Sequence, residues 1–305
     1  MNYLLTIIGP TAIGKTALSI ELAKYFNCEI ISCDSRQFYK EMEIGTAVPS
    51  NIEKAEVPHH FIQNKSIHEI YTVGDYEKEA VLKLDSLFET NSIQIMVGGS
   101  GLYMDAVLYG FDDFPDINSN VRDCLNVDFE KFGIEYLQEK LKEADPIYYQ
   151  YLEQNNPQTL LNPQRMKRFV EVCRGTGKPY SSFLNKNKTQ RNFTPIIIGL
   201  KAERTIIYER INLRVDIMIK EGLVDEVTSL LPYKSLNALN TVGYSELFAF
   251  LKQETTLDNA IEEIKKNTRR FSKRQLTWFK RNENIVWFDY KEDVTTIINY
   301  IKTKF

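Results

Sequence analysis

Tyr3-Leu4-Leu5-Thr6-Ile7-Ile8-Gly9-Pro10-Thr11-Ala12-Ile13-Gly14-Lys15-Thr16 is the stretch on which the reading of this chain turns. Residues 3–8 form a β-rich apolar run that Gly9-Pro10 ends. Residues 9–16 fit G-x-x-x-x-G-K-[ST], and Ala17, Leu18, Leu22, Ala23 and Phe26 follow at helical spacing. Strand, glycine-bearing loop and amphipathic helix in that order make a phosphate cradle. The glycines let the loop fold back so that its N–H groups point inward, and the helix N-terminus adds partial positive charge. Lys15 supplies a point charge, and the Thr16 hydroxyl suits a Mg²⁺ ion that shares the phosphate oxygens. Gly9, Pro10, Thr11, Ala12, Ile13, Gly14, Lys15 and Thr16 are therefore expected to hold a phosphate-bearing ligand. The loop does not select the reaction, since kinases, ATPases and other transferases share it.

Working outward, apolar runs at 28–32, 93–97, 195–200 and 285–288 read as further strands, with helical stretches between them. That alternation predicts an α/β fold: a P-loop NTPase-like, mostly parallel sheet flanked by helices. The composition changes after Gly110. Residues 111–120 are rich in Asp, Asn and Pro, and residues 121–190 are polar and helical. The expected organisation is a catalytic core of 1–111 and 193–305, ending in basic helices, with a helical insertion domain at 112–192. Long helices are expected at 204–231 and 258–281.

Of 305 residues, 43% are apolar and 26% charged, which is ordinary for a folded soluble protein. No apolar run approaches the roughly 18 residues of a membrane span. Met1-Asn2-Tyr3 carries no basic leader, so the first apolar run reads as a strand and not as a signal peptide. Cys28, Cys33, Cys124 and Cys173 include no C-x-x-C pair, a usage that fits a reducing cytoplasm. His59, His60 and His68 lack ligand spacing and read as structural or substrate-adjacent.

The net charge of −3 gives no global attraction to nucleic acid, but the local distribution does. Residues 165–191 contain Arg165, Lys167, Arg168, Arg174, Lys178, Lys186, Lys188 and Arg191, opposed only by Glu171. Residues 265–281 contain Lys265, Lys266, Arg269, Arg270, Lys273, Arg274, Lys280 and Arg281 with no acid among them. Lys266, Arg270 and Arg274 recur every four residues, on one helix face. Such stripes are footprints for a polyphosphate backbone.

The second strand runs into Asp34-Ser35-Arg36-Gln37, and the third into Gly98-Gly99-Ser100-Gly101-Leu102-Tyr103. A carboxylate at the carboxyl end of a strand beside a phosphate loop sits where ligands bind in such sheets, and suits either a Mg²⁺ ligand or a general base. Together with these, GPTAIGKT, DSRQFYKEMEIGTA, VPHH, VGGSGLY, RINLRVD, EGLVDEV, VGY and KRQLTWFKR occur in order from residue 4 to about 289. In this the chain resembles the tRNA dimethylallyltransferase, or isopentenyl-tRNA transferase, family.

The resemblance implies transfer of a dimethylallyl group from dimethylallyl diphosphate to N6 of the adenosine 3′ of the tRNA anticodon, with Mg²⁺ as cofactor. It implies Asp34, Lys15, Ser100 and Arg214 as the catalytic set, with Asp34 as the base. Asp34, Ser35, Arg36, Gln37, Ser100, Arg122, Leu161, Asn162, Pro163, Gln164, Arg165, Asn240, Thr241, Val242, Gly243, Tyr244 and Ser245 match tRNA-contacting positions. Lys266, Arg270 and Arg274 join them from the basic stripe, and Gln37 has an amide suited to an adenine edge. The insertion domain is then expected to contact the anticodon stem-loop, with the enzyme a cytoplasmic monomer. The chain departs from the family pattern at Glu43 (usually Asp), Val48 (usually Lys), Leu161-Asn162 (usually Asn-Asp), Leu213 (often a cation) and Ser100 (usually Thr). Two rival enzymes use the same loop: one prenylating free AMP, ADP or ATP, and a nucleotide kinase. A free nucleotide needs neither the basic C-terminal helix nor the helical insertion, and a kinase would need a distinct acceptor-phosphate site that nothing beyond the shared loop supplies. A tRNA-binding protein without catalysis would not need Lys15, Thr16, Asp34 and Ser100 together.

Overall fold

The computed structural model describes residues 1–184 and 190–305; Lys186 and Lys188 of the first basic run lie outside the described residues. In chain order the elements are β1 (Asn2–Ile8), α1 (Lys15–Phe26), β2 (Ile30–Ser32), α2 (Asn51–Glu56), β3 (His59–His60), α3 (Val73–Phe88), β4 (Ile93–Val97), α4 (Gly101–Tyr109), α5 (Ser119–Ala144), α6 (Pro146–Asn155), α7 (Pro157–Leu160), α8 (Pro163–Thr176), β5 (Phe193–Lys201), α9 (Arg204–Lys220), α10 (Leu223–Leu230), α11 (Tyr244–Leu251), α12 (Leu257–Phe279), β6 (Val286–Asp289) and α13 (Val294–Lys302). The strands form one sheet in the order β3-β2-β4-β1-β5-β6, and every neighbouring pair is parallel.

The apolar run of β1 explains its central place. Leu4, Leu5, Ile7 and Ile8 are fully buried, as expected of a parallel strand covered on both faces. Side chains alternate across the sheet. Leu4 and Ile8 enter the cluster formed by Ala80, Leu84 and Leu87 of α3 and Met104 and Val107 of α4. Leu5 and Ile7 enter the opposite cluster, with Ile20 and Leu22 of α1 and Ile297 and Ile301 of α13.

Several elements went unread in the sequence, α3 and β3 among them. α3 places Tyr76, Ala80, Leu84 and Leu87 on its buried face and opens with a Thr72–Asp75 capping box, both legible signals. β3 is two residues long and carries no periodicity. The helix expected at 204–231 is two helices, because Gly222 takes a left-handed φ of 100° and starts α10.

The described chain divides into two compact units, one of Met1–Tyr109 with Gln190–Phe305, the other of Gly110–Thr189. The second unit consists of α5 to α8. Leu125, Leu137 and Leu141 of α5 pack with Leu152, Met166, Phe169 and Val170. The buried carboxylate of Asp145 accepts the N–H groups of Tyr148 and Ser181. The second unit stops short of residue 192. Arg191 belongs to the first unit, where its guanidinium donates to Ala106 O and Val107 O and pairs with Glu77. The basic run at 165–191 is thus not one continuous stripe. Arg191 is an internal tie, Lys167 is buried and donates to Asn126 Oδ1, and Arg174 pairs with Asp128.

Leu5→Ala would leave a cavity in the middle of β1. The expected loss is ~2–5 kcal/mol of stability, read from the denaturant midpoint of Trp278 and Trp287 fluorescence. An unchanged midpoint would remove β1 from the centre of the core.

Candidate active site

Gly9 leaves β1 at φ 151° and Gly14 opens α1 at φ 109°, so both glycines supply backbone conformations that side chains resist. The loop between them exposes the first N–H groups of α1, a ready anion site. Lys15 folds back over this loop, and its Nζ donates to Gly9 O at 3.0 Å and Pro10 O at 2.9 Å. Two arginines of α9 reach the same loop: Arg210 Nε donates to Ala12 O at 2.7 Å, and Arg214 Nη1 lies 3.4 Å from Thr11 Oγ1. Burial, and then the charge of Arg214, lower the Lys15 pKa to about 8, with Asp34 pulling the other way. Burial, and then Arg210, also depress Arg214, again opposed by Asp34. Three cations thus converge on one loop, an arrangement completed by a polyanion.

Asp34 and Ser35 follow β2, and Ser100 follows β4, the strand next to it. Ser100 Oγ accepts the Ser35 N–H at 3.1 Å and donates to Ser35 Oγ at 3.1 Å. Asp34 Oδ1 accepts the Arg36 N–H at 3.1 Å. These residues line a cleft of about 610 Å³ together with Thr11, Gly45 to Ala47, Tyr103, Arg214, Asn240 to Gly243, Ser245, Phe271, Arg274 and Trp278. One end is a cationic phosphate loop, and a carboxylate and a hydroxyl sit beside it. Val215, Met218, Leu223 and Ile264 make an apolar remainder.

The structure brings together most of the expected residues, with several changes of role. Gln37 does not face the cleft. Its Oε1 accepts from Ser32 Oγ, and its Nε2 donates to Thr46 O and Ala47 O, so the amide is spent on tying β2 to the 46–47 loop. Arg36 donates to the carbonyls of Asn237, Ala238 and Asn240, and thereby holds the loop that lines the cleft. Tyr244 is fully buried, its ring filling the space a Cβ at Gly45 would need. In the second unit Arg122 forms a two-bond pair with Glu171, which also takes Arg168. Leu161, Asn162, Gln164 and Arg165 are exposed there, with Asn162 capping α8 through the Arg165 N–H and Pro163 at its first turn. On α12, Lys266 pairs with Glu263 and Arg270 donates to Asn267, both at the surface, while Arg274 lines the cleft.

Three residues were missed. Gln275 Oε1 accepts the Thr11 N–H, and its Nε2 donates to Gly99 O. Trp278 lies against Gly101, packs on the core cluster that includes Phe279, and donates to Asp105 Oδ2. Glu226 accepts the N–H groups of Glu43, Ile44 and Gly45 and the Tyr244 hydroxyl. The KRQLTWFKR and EGLVDEV blocks flagged these places, but a sequence does not say which buried partner an amide or carboxylate meets.

Glu226→Ala would strip one acceptor from three backbone donors and a buried phenol. The expected cost is ~3 kcal/mol of stability, with binding of inorganic diphosphate changed less than about twofold, because the phosphate loop is not touched. Denaturant titration and calorimetry check the two halves; a stability loss below about 0.5 kcal/mol would remove Glu226 from the support of the cleft.

Against known proteins, a family model described as IPP transferase matches residues 37–282. A tRNA dimethylallyltransferase of Flavobacterium psychrophilum is 68% identical over 304 residues, covering 100% of this chain and 99% of that relative. Another, from Christiangramia forsetii, is 55% identical over 303 residues, 99% of this chain and 98% of the relative. Among solved structures, the tRNA isopentenylpyrophosphate transferase of Bacillus halodurans superposes with a TM-score of 0.73 at 35% identity, covering 100% of this chain and 97% of that one. A eukaryotic dimethylallyltransferase caught acting on tRNA superposes with a TM-score of 0.78 at 26% identity, covering 96% of this chain and 75% of that one. With the family model, full-length relatives and the cleft geometry in agreement, this chain belongs to the IPP transferase family.

Proposed function

We propose that the chain transfers a dimethylallyl group from dimethylallyl diphosphate to N6 of the adenosine 3′ of the anticodon in tRNA and releases diphosphate. The observation that carries this reading is one cleft lined by Thr11 of the phosphate loop, Arg214, Asp34 and Ser100, with Lys15 held against the same loop through Gly9 O and Pro10 O. The full-length relatives named above are tRNA dimethylallyltransferases, in line with this activity and not with a free-nucleotide prenyltransferase or a nucleotide kinase.

In the transfer, the bond between the allylic carbon and the diphosphate oxygen breaks and a carbon–nitrogen bond to N6 forms. Charge grows on the leaving diphosphate, and Lys15, Arg214 and the loop N–H groups neutralise it. The N6 proton passes to the Asp34 carboxylate. Adenine must leave its stack to reach the cleft, as for other base-modifying enzymes. Asn240, Thr241, Val242, Gly243 and Ser245 then line its path, and Arg274 is poised for backbone phosphate. Among the described residues the Thr16 hydroxyl has no hydrogen-bond partner, and no cluster of three His, Cys, Asp or Glu could hold a metal by itself. That fits Mg²⁺, which prefers one or two protein oxygens plus substrate phosphates and water; bound at Thr16 it would add charge neutralisation to the leaving group.

A cytoplasmic setting suits the substrate and the four free cysteines. No helix among the described residues is long and apolar enough to cross a membrane. The reading takes the enzyme to act as a monomer.

Labelled dimethylallyl diphosphate and Mg²⁺ would be offered unmodified tRNA, AMP and ATP. Label is expected on tRNA alone; label on a free nucleotide would overturn the acceptor. Asp34→Asn is expected to bind both substrates within about threefold of wild type and lose at least about 10²-fold in turnover. Near-normal turnover would take the base role from Asp34.

Because Lys15 titrates near pH 8 in the unliganded protein, diphosphate binding is expected to weaken as pH rises through about 8. Lys15→Met should bind weakly throughout and lack that fall. The same depressed value has the opposite sign for the fold. Between about 8 and 10.5 the unfolded chain holds the proton that folded Lys15 has shed, so this group makes the unliganded protein more stable as pH rises across that window. Calorimetric titration of inorganic diphosphate from pH 6.5 to 9.5 reads the first effect; a flat profile would show that Lys15 stays charged or does not contact the ligand.

A further inference from the structure

We infer that Gln275 is a positioning residue for the transfer step, fixing the separation between the phosphate loop and the turn that carries Ser100. The inference rests on the prenyl-transfer reading above. β1 and β4 are paired neighbours, but their last backbone link is Gly98 N–H to Ile7 O at 3.3 Å. Beyond it the two loops part, one toward the diphosphate cradle and the other toward the Asp34 side of the cleft. Among the described residues, the hydrogen-bonded link between them past that point is the buried Gln275 amide. It accepts the Thr11 N–H at 2.9 Å and donates to Gly99 O at 2.9 Å.

The fit is close. A Cβ at Gly99 would lie 2.2 Å from Gln275 Nε2, so this glycine makes room for the amide. From Gly99 the path continues through Ser100, whose Oγ takes the Ser35 N–H beside Asp34. Thr11, Gln275, Gly99, Ser100, Ser35 and Asp34 thus form one chain of contacts. It runs from the groups that hold the leaving diphosphate to the carboxylate that takes the proton. Only a side chain with one acceptor and one donor about 2.2 Å apart can close it, which is an amide or a protonated carboxylic acid.

The rest of α12 does not need Gln275 to stay in place. Phe279 is buried in the sheet core, Ile264 and Ala260 are buried in another cluster, and Trp278 is held by Asp105. Loss of the amide should therefore loosen the two loops without unfolding the helix. A displacement of about 1 Å between reacting groups costs on the order of 10²-fold in rate.

Single-turnover transfer to tRNA would be measured with wild type, Gln275→Met and Gln275→Glu from about pH 6 to 9. Thermal melts and calorimetric counting of inorganic diphosphate sites would accompany each. Gln275→Met, of similar length but without the polar pair, is expected to lose roughly 30- to 100-fold at every pH, with melting and site count retained. Gln275→Glu is expected to match that loss at high pH, where an ionised carboxylate faces Gly99 O. It should recover toward wild type as pH falls and the acid form donates to Gly99 O while still accepting from Thr11. Asp34, Arg214 and Arg274 of the cleft and Lys15 of the phosphate loop are common to all three proteins, so the ratio to wild type isolates residue 275. A Met ratio near one overturns the inference, as does a loss that merely follows a falling site count or a Glu ratio flat with pH. Wild type that fails to label tRNA overturns the prenyl-transfer reading, and this role with it.

Discussion

Every strand of this sheet runs the same way, and the site exists because of that. β1, β2 and β4 pair side by side in parallel register, so the loops that follow them all emerge at one edge. The phosphate loop, the Asp34–Gln37 segment and the Gly98–Tyr103 turn meet there without any one of them being long. The register is set by burial on both faces of β1. A slip of one residue would exchange Leu5 and Ile7 with Leu4, Thr6 and Ile8 between two differently shaped cores. Fold and site are therefore under the same constraint.

The same convergence concentrates charge. Lys15, Arg210 and Arg214 lie around a loop whose inward surface is itself electropositive. The depressed Lys15 and Arg214 show that holding these cations without a ligand works against folding. Asp34 offsets part of this repulsion, so the carboxylate proposed as the base is linked to the cations proposed to hold the donor before substrate arrives. Around this centre stand residues that shape the cleft through their partners. Arg36 holds the 237–240 loop, Glu226 holds residues 43–45, and Gln275 joins the phosphate loop to Gly99. Polar side chains with several bonds each keep irregular backbone in one place, where no sheet ladder can.

Three of the departures from the family pattern leave the side chains that line the cleft in place. Residue 43 contributes its N–H to Glu226, a bond indifferent to Asp or Glu. Asn162 caps α8 in the place where the family has Asp, and either side chain accepts the Arg165 N–H. Leu213 is 61% exposed and makes no part of the cleft lining, while Arg214 beside it turns to Thr11. None of these changes removes a group from the diphosphate end.

By itself the sequence determined the local chemistry. Apolar β1, the GPTAIGKT loop and the helical repeat after Thr16 specify strand, cradle and helix from spacing alone, since those patterns are set by short-range geometry. The order of motifs specified the family, and with it Asp34, Ser100 and Arg214. Tertiary structure decided which side chains are free. Gln37, Tyr244, Arg36 and Arg191 look like ligands in a linear reading, yet the fold uses them as internal ties. Gln275 and Glu226 look unremarkable, yet they hold the walls of the cleft. The difference is physical: a backbone loop advertises itself through its glycines, whereas a polar side chain gains its role from a partner roughly 180 to 260 residues away in the chain, whose position depends on how the whole core packs.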